Sequence, residues 1–221
     1  MAIKALIFDF DGLILETEGP IYQSWHELYQ AYGFDLPLKR WATIIGTANF
    51  YFDPYGELES LLGRKVDWAE VERARREREA ELIDEQPVLP GVEDYLRAAQ
   101  CRNLKIGLAS SSSCQWVVGH LTRLGLYEYF DCIRGKDDVA QTKPAPELYL
   151  AVMEEFQAQG NEVVVFEDSP HGVMAAKRAG TYCVAVPTPL TSGLRLEEAD
   201  LRLSSLAEMP LEELLAKIGG G

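Results

Sequence analysis

Four short apolar runs punctuate the chain, and polar residues follow the first, second and third of them directly. They are Ala5-Leu6-Ile7-Phe8, Lys105-Ile106-Gly107-Leu108-Ala109, Val163-Val164-Val165-Phe166 and Tyr182-Cys183-Val184-Ala185-Val186. Continuous rather than alternating apolar residues mark strands of a parallel sheet covered on both faces. A shorter strand is expected near Cys132-Ile133. Helical patterns lie between the runs, over 92–100, 115–124, 146–159 and 170–179, and the last three stop at Gly125, Gly160 and Gly180. Proline near a helix start and glycine just past its end is the asymmetry helices prefer. Strands alternating with helices predict an α/β fold, a parallel sheet wound by right-handed crossovers.

Residues 17–85 break this rhythm. They contain no buried strand run but four helical candidates, over 20–32, 38–45, 54–62 and 68–83, and many of the aromatics, among them Tyr22, Trp25, Tyr29, Trp41, Phe50, Tyr51 and Phe52. The pattern predicts an α/β core domain from residues 1–16 and 86–221, with an all-helical domain of residues 17–85 inserted after the first strand. The inserted aromatics are expected to form that domain's core. The charges of 70–79 alternate in sign at helical spacing, which predicts a solvated helix face laced with ion pairs.

Composition narrows the partners. The 221 residues are 47% hydrophobic and 25% charged, with a net charge of −14 and a pI near 4.7. Nucleic acid and an anionic membrane face both need clustered Lys and Arg, so neither is expected as a partner. Cys101, Cys114, Cys132 and Cys183 are scattered without paired spacing, which fits separate reduced thiols. The N-terminal apolar run is too short for a signal peptide or a span, and a cytoplasmic monomer is the expectation.

The polar residues at the run ends point to chemistry. Asp9 and Asp11 end the first, Ser110 to Ser113 the second, and Glu167 and Asp168 the third. The carboxyl ends of parallel strands open into the crevice where ligands bind, so these groups meet on one rim. Lys143 precedes a helix start, and Pro144 favours an extended Lys143. Taken singly, each has a plain reading: a turn at Asp9 to Gly12, a helix cap in the serine run, a surface lysine, an acidic helix start at Glu167. Their joint placement at successive strand ends favours a site.

These motifs resemble those of the haloacid dehalogenase-like superfamily, in the branch of β-phosphoglucomutase-like and related small phosphatases. Phe8-Asp9-Phe10-Asp11-Gly12 looks like its first motif and Leu108-Ala109-Ser110-Ser111-Ser112 its second. Lys143-Pro144 looks like the third and Phe166-Glu167-Asp168-Ser169 the fourth. The resemblance implies a Rossmann-like parallel sheet core with a helical cap. It also implies a Mg²⁺-dependent phosphatase acting on a small phosphorylated metabolite through an aspartyl-phosphate on Asp9. Mg²⁺ would be held by Asp9, the Asp11 carbonyl and Asp168, with Glu167 orienting a bound water. Asp11 would be the acid and base, Lys143 would balance charge, and Ser110 with the Ser111 N–H would hold phosphoryl oxygens. Such a lysine and metal would answer the surplus of negative charge. Thr47, Asn49 and Tyr51 are candidates for the substrate's leaving group, and Arg75 or Arg76 for an anionic substrate.

The departures weigh against the alternatives. A phosphosugar mutase of this branch would carry a His where Ile21 stands, and an Arg within 46–49, which reads Gly46-Thr47-Ala48-Asn49. A haloacid dehalogenase would lack the acid at Asp11. A phosphonate hydrolase would lack it too and would use a cap lysine, for which Lys39 and Lys65 are the available residues. A non-catalytic phosphate-binding regulator, or a receiver-like domain phosphorylated on Asp, is the reading outside enzymes; stable phosphorylation without phosphate release would mark it.

Overall fold

A computed structural model describes residues 2–41 and 52–219. The chain separates into two compact units, Met1–Leu15 with Pro87–Gly221, and Glu16–Gln86. The first is built on six parallel strands: β1 (Ala5–Phe8), β2 (Lys105–Ala109), β3 (Cys132–Arg134), β4 (Val163–Glu167), β5 (Tyr182–Ala185) and β6 (Leu201–Arg202). Their order across the sheet is β3-β2-β1-β4-β5-β6. The two central strands, β1 and β4, are buried along their whole length. Such burial on both faces is why they read as unbroken apolar runs.

Around the sheet lie α5 (Val92–Cys101), α6 (Cys114–Arg123), α7 (Glu147–Glu155), α8 (Pro170–Arg178) and α9 (Leu211–Gly219); the lower numbers belong to the second unit below. Leu148, Val152, Val173 and Ala176 from α7 and α8 join Ile7, Val163 and Val165 in one buried cluster. The helix expected over 146–159 is shorter than its pattern: it ends at Glu155, because Gln157 takes a left-handed backbone (φ 50°) and turns the chain. Gly160 begins a separate 3₁₀ turn instead of closing the helix. Neither β6 nor α9 was marked by an apolar run bounded in the way the others were.

The second unit is helical in its described residues: α1 (Glu18–Ala31), α2 (Leu38–Trp41), α3 (Pro54–Leu62) and α4 (Trp68–Asp84). Asp53 and Asp67 cap α3 and α4 by accepting from the N–H groups of Tyr55 and Ala69. Trp25, Tyr29, Trp41 and Phe52 are buried here, and Trp25 meets Tyr55 edge-on at 4.6 Å, as expected of a hydrophobic core. The charged stretch of α4 is not wholly solvated. Arg75 is buried, its guanidinium over the Trp25 ring at 4.6 Å and bound to Glu72, Glu79 and the Ser24 hydroxyl. Two carboxylates therefore offset the Arg75 charge within its own unit. Arg76 is exposed and paired with Glu72 at 2.6 Å. Lys65 is likewise exposed and paired with Glu59, unlike a buried amine suited to covalent chemistry. Thr47, Asn49 and Tyr51 lie outside the described residues. Among the described residues no helix is long and apolar enough to cross a membrane.

Candidate active site

The order of the strands determines where a site can form. The chain builds β1, β2 and β3 in one direction and then crosses back to place β4 on the other side of β1. At such a reversal the loops diverge and leave a crevice beyond the carboxyl ends of the strands. Phe8 pairs with Phe166 across β1 and β4, so the next residues, Asp9 and Glu167, emerge side by side. The Asp9 N–H still donates to the Phe166 carbonyl at 3.0 Å.

Lys143 reaches this pair from the loop before α7, past a cis peptide to Pro144 that its extended reading does not anticipate. Its Nζ lies 2.6 Å from Asp9 Oδ1 and 2.6 Å from Glu167 Oε1. All three side chains are nearly or wholly buried. One carboxylate oxygen from each of Asp9, Glu167 and Asp168 lies within 4.8 Å of the others. Burial, then the charge of Glu167, pushes the Asp9 carboxyl up to about 8, although Lys143 opposes both. Burial alone would lower Lys143, but Asp9 and Glu167 outweigh it and hold the amine above its usual range. One lysine therefore does not neutralise the acidic cluster. Hard oxygen donors with surplus negative charge fit a small divalent cation, so the residues present suit the metal that the motifs imply.

Two glycines let backbone approach the acids closely. A Cβ at Gly12, whose φ is +78°, would lie 2.3 Å from Asp168 Oδ2. At Gly172, in the first turn of α8, it would lie 1.8 Å from the Glu167 carboxyl carbon. Only glycine permits either contact.

Asp11 faces a different set of groups. Its carboxylate accepts from Ser112 Oγ at 2.7 Å, Trp116 Nε1 at 3.2 Å and Ser110 Oγ at 3.3 Å. Ser110 is fully buried and also accepts the Ser112 N–H at 2.9 Å, while Ser111 is exposed. Ser113 is the N-cap of α6, accepting from Trp116 N–H at 3.3 Å. The serine run thus caps α6 at Ser113, while Ser110 and Ser112 donate to Asp11. The structure brings Asp9, Glu167, Asp168 and Lys143 together, and Asp11 with Ser110.

Trp116 and Tyr149 are polar contacts of the site that the motifs did not single out, and Ser112 stood in the second motif without an assigned role. Tyr149, on α7, is fully buried and donates its hydroxyl to Glu167. Burial, reinforced by the charges of Glu167 and Asp9, pushes its phenol well above the usual range and keeps it a donor. A signal for Tyr149 was present: it is the one polar tip within the apolar stretch Leu148-Tyr149-Leu150-Ala151-Val152, just beyond Lys143.

The family described as haloacid dehalogenase-like hydrolase matches residues 6–186. A Bacillus subtilis (strain 168) protein, YhcW, named as a phosphatase, is 48% identical over 96% of this chain and 96% of its own. The phosphorylated carbohydrates phosphatase of Thermotoga maritima is 31% identical over 96% of this chain and 97% of its own. A crystal structure of a Thermotoga maritima protein described as a β-phosphoglucomutase has a TM-score of 0.79 at 30% identity, covering 93% of this chain and 96% of that one.

Proposed function

The chain belongs to the haloacid dehalogenase-like hydrolase family and is a phosphoric monoester hydrolase, and on that premise we propose that it hydrolyses a small phosphorylated metabolite through a phosphoryl group carried on Asp9. The observation that carries this reading is the Asp9 carboxylate, buried and gripped by Lys143 at 2.6 Å, with Asp168 and Glu167 beside it. A phosphate monoester repels nucleophiles, so its site must hold positive charge and fix the attacking group in line. Lys143 supplies a permanent cation there. Mg²⁺, held by the carboxylates of Asp9 and Asp168 and the Asp11 carbonyl, would add Lewis-acid charge when bound.

Asp9 attacks phosphorus, its oxygen forming the new P–O bond as the bond to the leaving alcohol breaks. Asp11 gives its proton to that departing oxygen. Asp11 then takes a proton from the water that attacks phosphorus, which releases phosphate and frees Asp9. Ser110 and the Ser111 N–H receive phosphoryl oxygens. Residues 16–86 act as the cap that selects the substrate. The name of the Thermotoga maritima relative favours a phosphorylated carbohydrate as its class.

Purified protein is expected to release phosphate from simple monoesters in Mg²⁺, to lose the activity in EDTA and to regain it when Mg²⁺ is returned. Full turnover in EDTA would overturn the metal part of the reading. Stoichiometric, stable phosphorylation without phosphate release would favour the regulatory alternative, and isomerisation of a hexose phosphate without net release would favour the mutase.

The contacts of Asp11 yield a second expectation. An indole N–H can only donate, so Trp116 holds one oxygen of Asp11 as an acceptor and fixes the orientation of the carboxyl group. Trp116→Phe is expected to slow hydrolysis of an alkyl phosphate about tenfold more than that of a nitrophenyl phosphate, whose leaving group needs little protonation. Equal losses on both substrates would mean that Trp116 does not act through Asp11.

A further inference from the structure

The polar network behind the acidic pair contains a wholly buried phenol that the reaction above does not use. Tyr149 is wholly buried and sends its hydroxyl to Glu167 Oε1, the same oxygen that Lys143 Nζ meets at 2.6 Å. The amine also lies 5.2 Å from the centre of the Tyr149 ring, so one side chain contacts both ends of the Glu167–Lys143 pair. The other oxygen, Oε2, accepts from Asp168 N–H at 3.2 Å and Ser169 Oγ at 3.3 Å. Gly172 closes the remaining side, with no room there for a Cβ.

A buried hydroxyl is costly to desolvate unless it finds a partner, and phenylalanine would fill the same space without that cost. The phenol is therefore explained by its partner. Glu167 must stay fixed in orientation if Lys143 is to be shared between it and Asp9. With both oxygens of Glu167 occupied by donors, the carboxylate acts as a fixed anchor next to the Asp168 backbone. We propose that Tyr149 is a positioning residue: by holding Glu167 it fixes Lys143 and Asp168 in the arrangement that binds Mg²⁺. The inference rests on the metal reading given above. Groups behind a metal site commonly change affinity by tenfold or more when removed, because they orient those in front.

The test is calorimetric titration of the full chain with Mg²⁺, using wild type, Tyr149→Phe, Glu167→Gln and the double variant, with a melting curve for each. Tyr149→Phe is expected to weaken Mg²⁺ about tenfold, and to change affinity less than about twofold when Glu167 is already Gln, since contacting residues couple in such a cycle. Glu167→Gln reads the same contact from its other side. If wild type binds Mg²⁺ and Tyr149→Phe binds it equally well, the proposal is overturned while the metal reading stands. An equal loss in the presence and absence of Glu167 also overturns it, because Tyr149 would then act by another route. A lowered melting temperature with unchanged Mg²⁺ affinity would show a purely structural tyrosine. Wild type that takes up no Mg²⁺ overturns the metal reading itself, and the positioning role with it.

Discussion

Replacing Asp9 by Asn is expected to abolish phosphate release and, in metal-free buffer, to raise the melting temperature relative to wild type as the pH becomes alkaline. The two effects have one origin. An amide cannot accept a phosphoryl group in the way a carboxylate does, and residual activity should fall to the background of the assay. Stability moves the other way because Asp9 sits where an anion is unwelcome. Burial and Glu167 push its carboxyl up to about 8, well above the ordinary carboxylate range. The folded metal-free protein thus holds this proton more tightly than the unfolded chain does. The resulting stabilisation is complete below about pH 4 and is lost as the pH rises through about 8. Asn has no proton to lose, so the difference in melting temperature between Asn and wild type should grow in favour of Asn from about pH 6 to about pH 9 in EDTA.

Mg²⁺ should reverse the order. A cation that binds the folded state alone stabilises it in proportion to its affinity, and wild type retains the carboxylate that Asn lacks. Scanning calorimetry of both proteins, with and without Mg²⁺, measures each effect. A constant difference across pH would show that Asp9 is ionised alike in the folded and unfolded chains, contrary to its burial between Glu167 and the core.

How much of this was legible beforehand depends on where the information lies. Strands β1, β2, β4 and β5 were readable because both faces of a parallel strand are buried, which leaves an apolar run in the sequence. Strand β6 has two residues, Leu201 and Arg202, at the edge of the sheet, too few to form any pattern. The acids at the ends of β1 and β4 were legible because strand ends share one rim. Their partners were harder to see. Trp116 reaches Asp11 from the first turn of α6, and its direction depends on how that helix packs. Arg75 reads as one more charge in an alternating stretch. Its burial follows from the Trp25 face it meets, 50 residues away along the chain. Periodicity reports the face a helix turns inward and says little about the partner on the other side.

Exchanging Lys143 for Met should cost both stability and activity, and the loss of stability should itself depend on pH. Methionine keeps most of the stem that lies beside the Tyr149 ring but removes a cation that touches both Asp9 and Glu167. Taking one partner from a buried ion pair leaves an uncompensated charge, at about 3–5 kcal/mol. Here two carboxylates are left facing each other. Because Lys143 lowers the Asp9 pKa in wild type, its removal drives Asp9 further toward the protonated form. Protonation relieves the repulsion, so relative to wild type the variant should lose most stability near about pH 9, where wild-type Asp9 has ionised beside Lys143, and less near about pH 5. Mg²⁺ should restore some of the melting temperature by supplying positive charge to the same oxygens. It should not restore the rate. Removing a preorganised charge from the phosphoryl site is expected to lower kcat by about 10²- to 10³-fold even at saturating Mg²⁺. Arginine is no substitute, since a planar guanidinium cannot occupy the point between two carboxylates that an ammonium fills. A Met variant as stable as wild type at both pH values would show that Lys143 does not offset the acidic cluster, and a Met variant with normal kcat would remove it from the reaction.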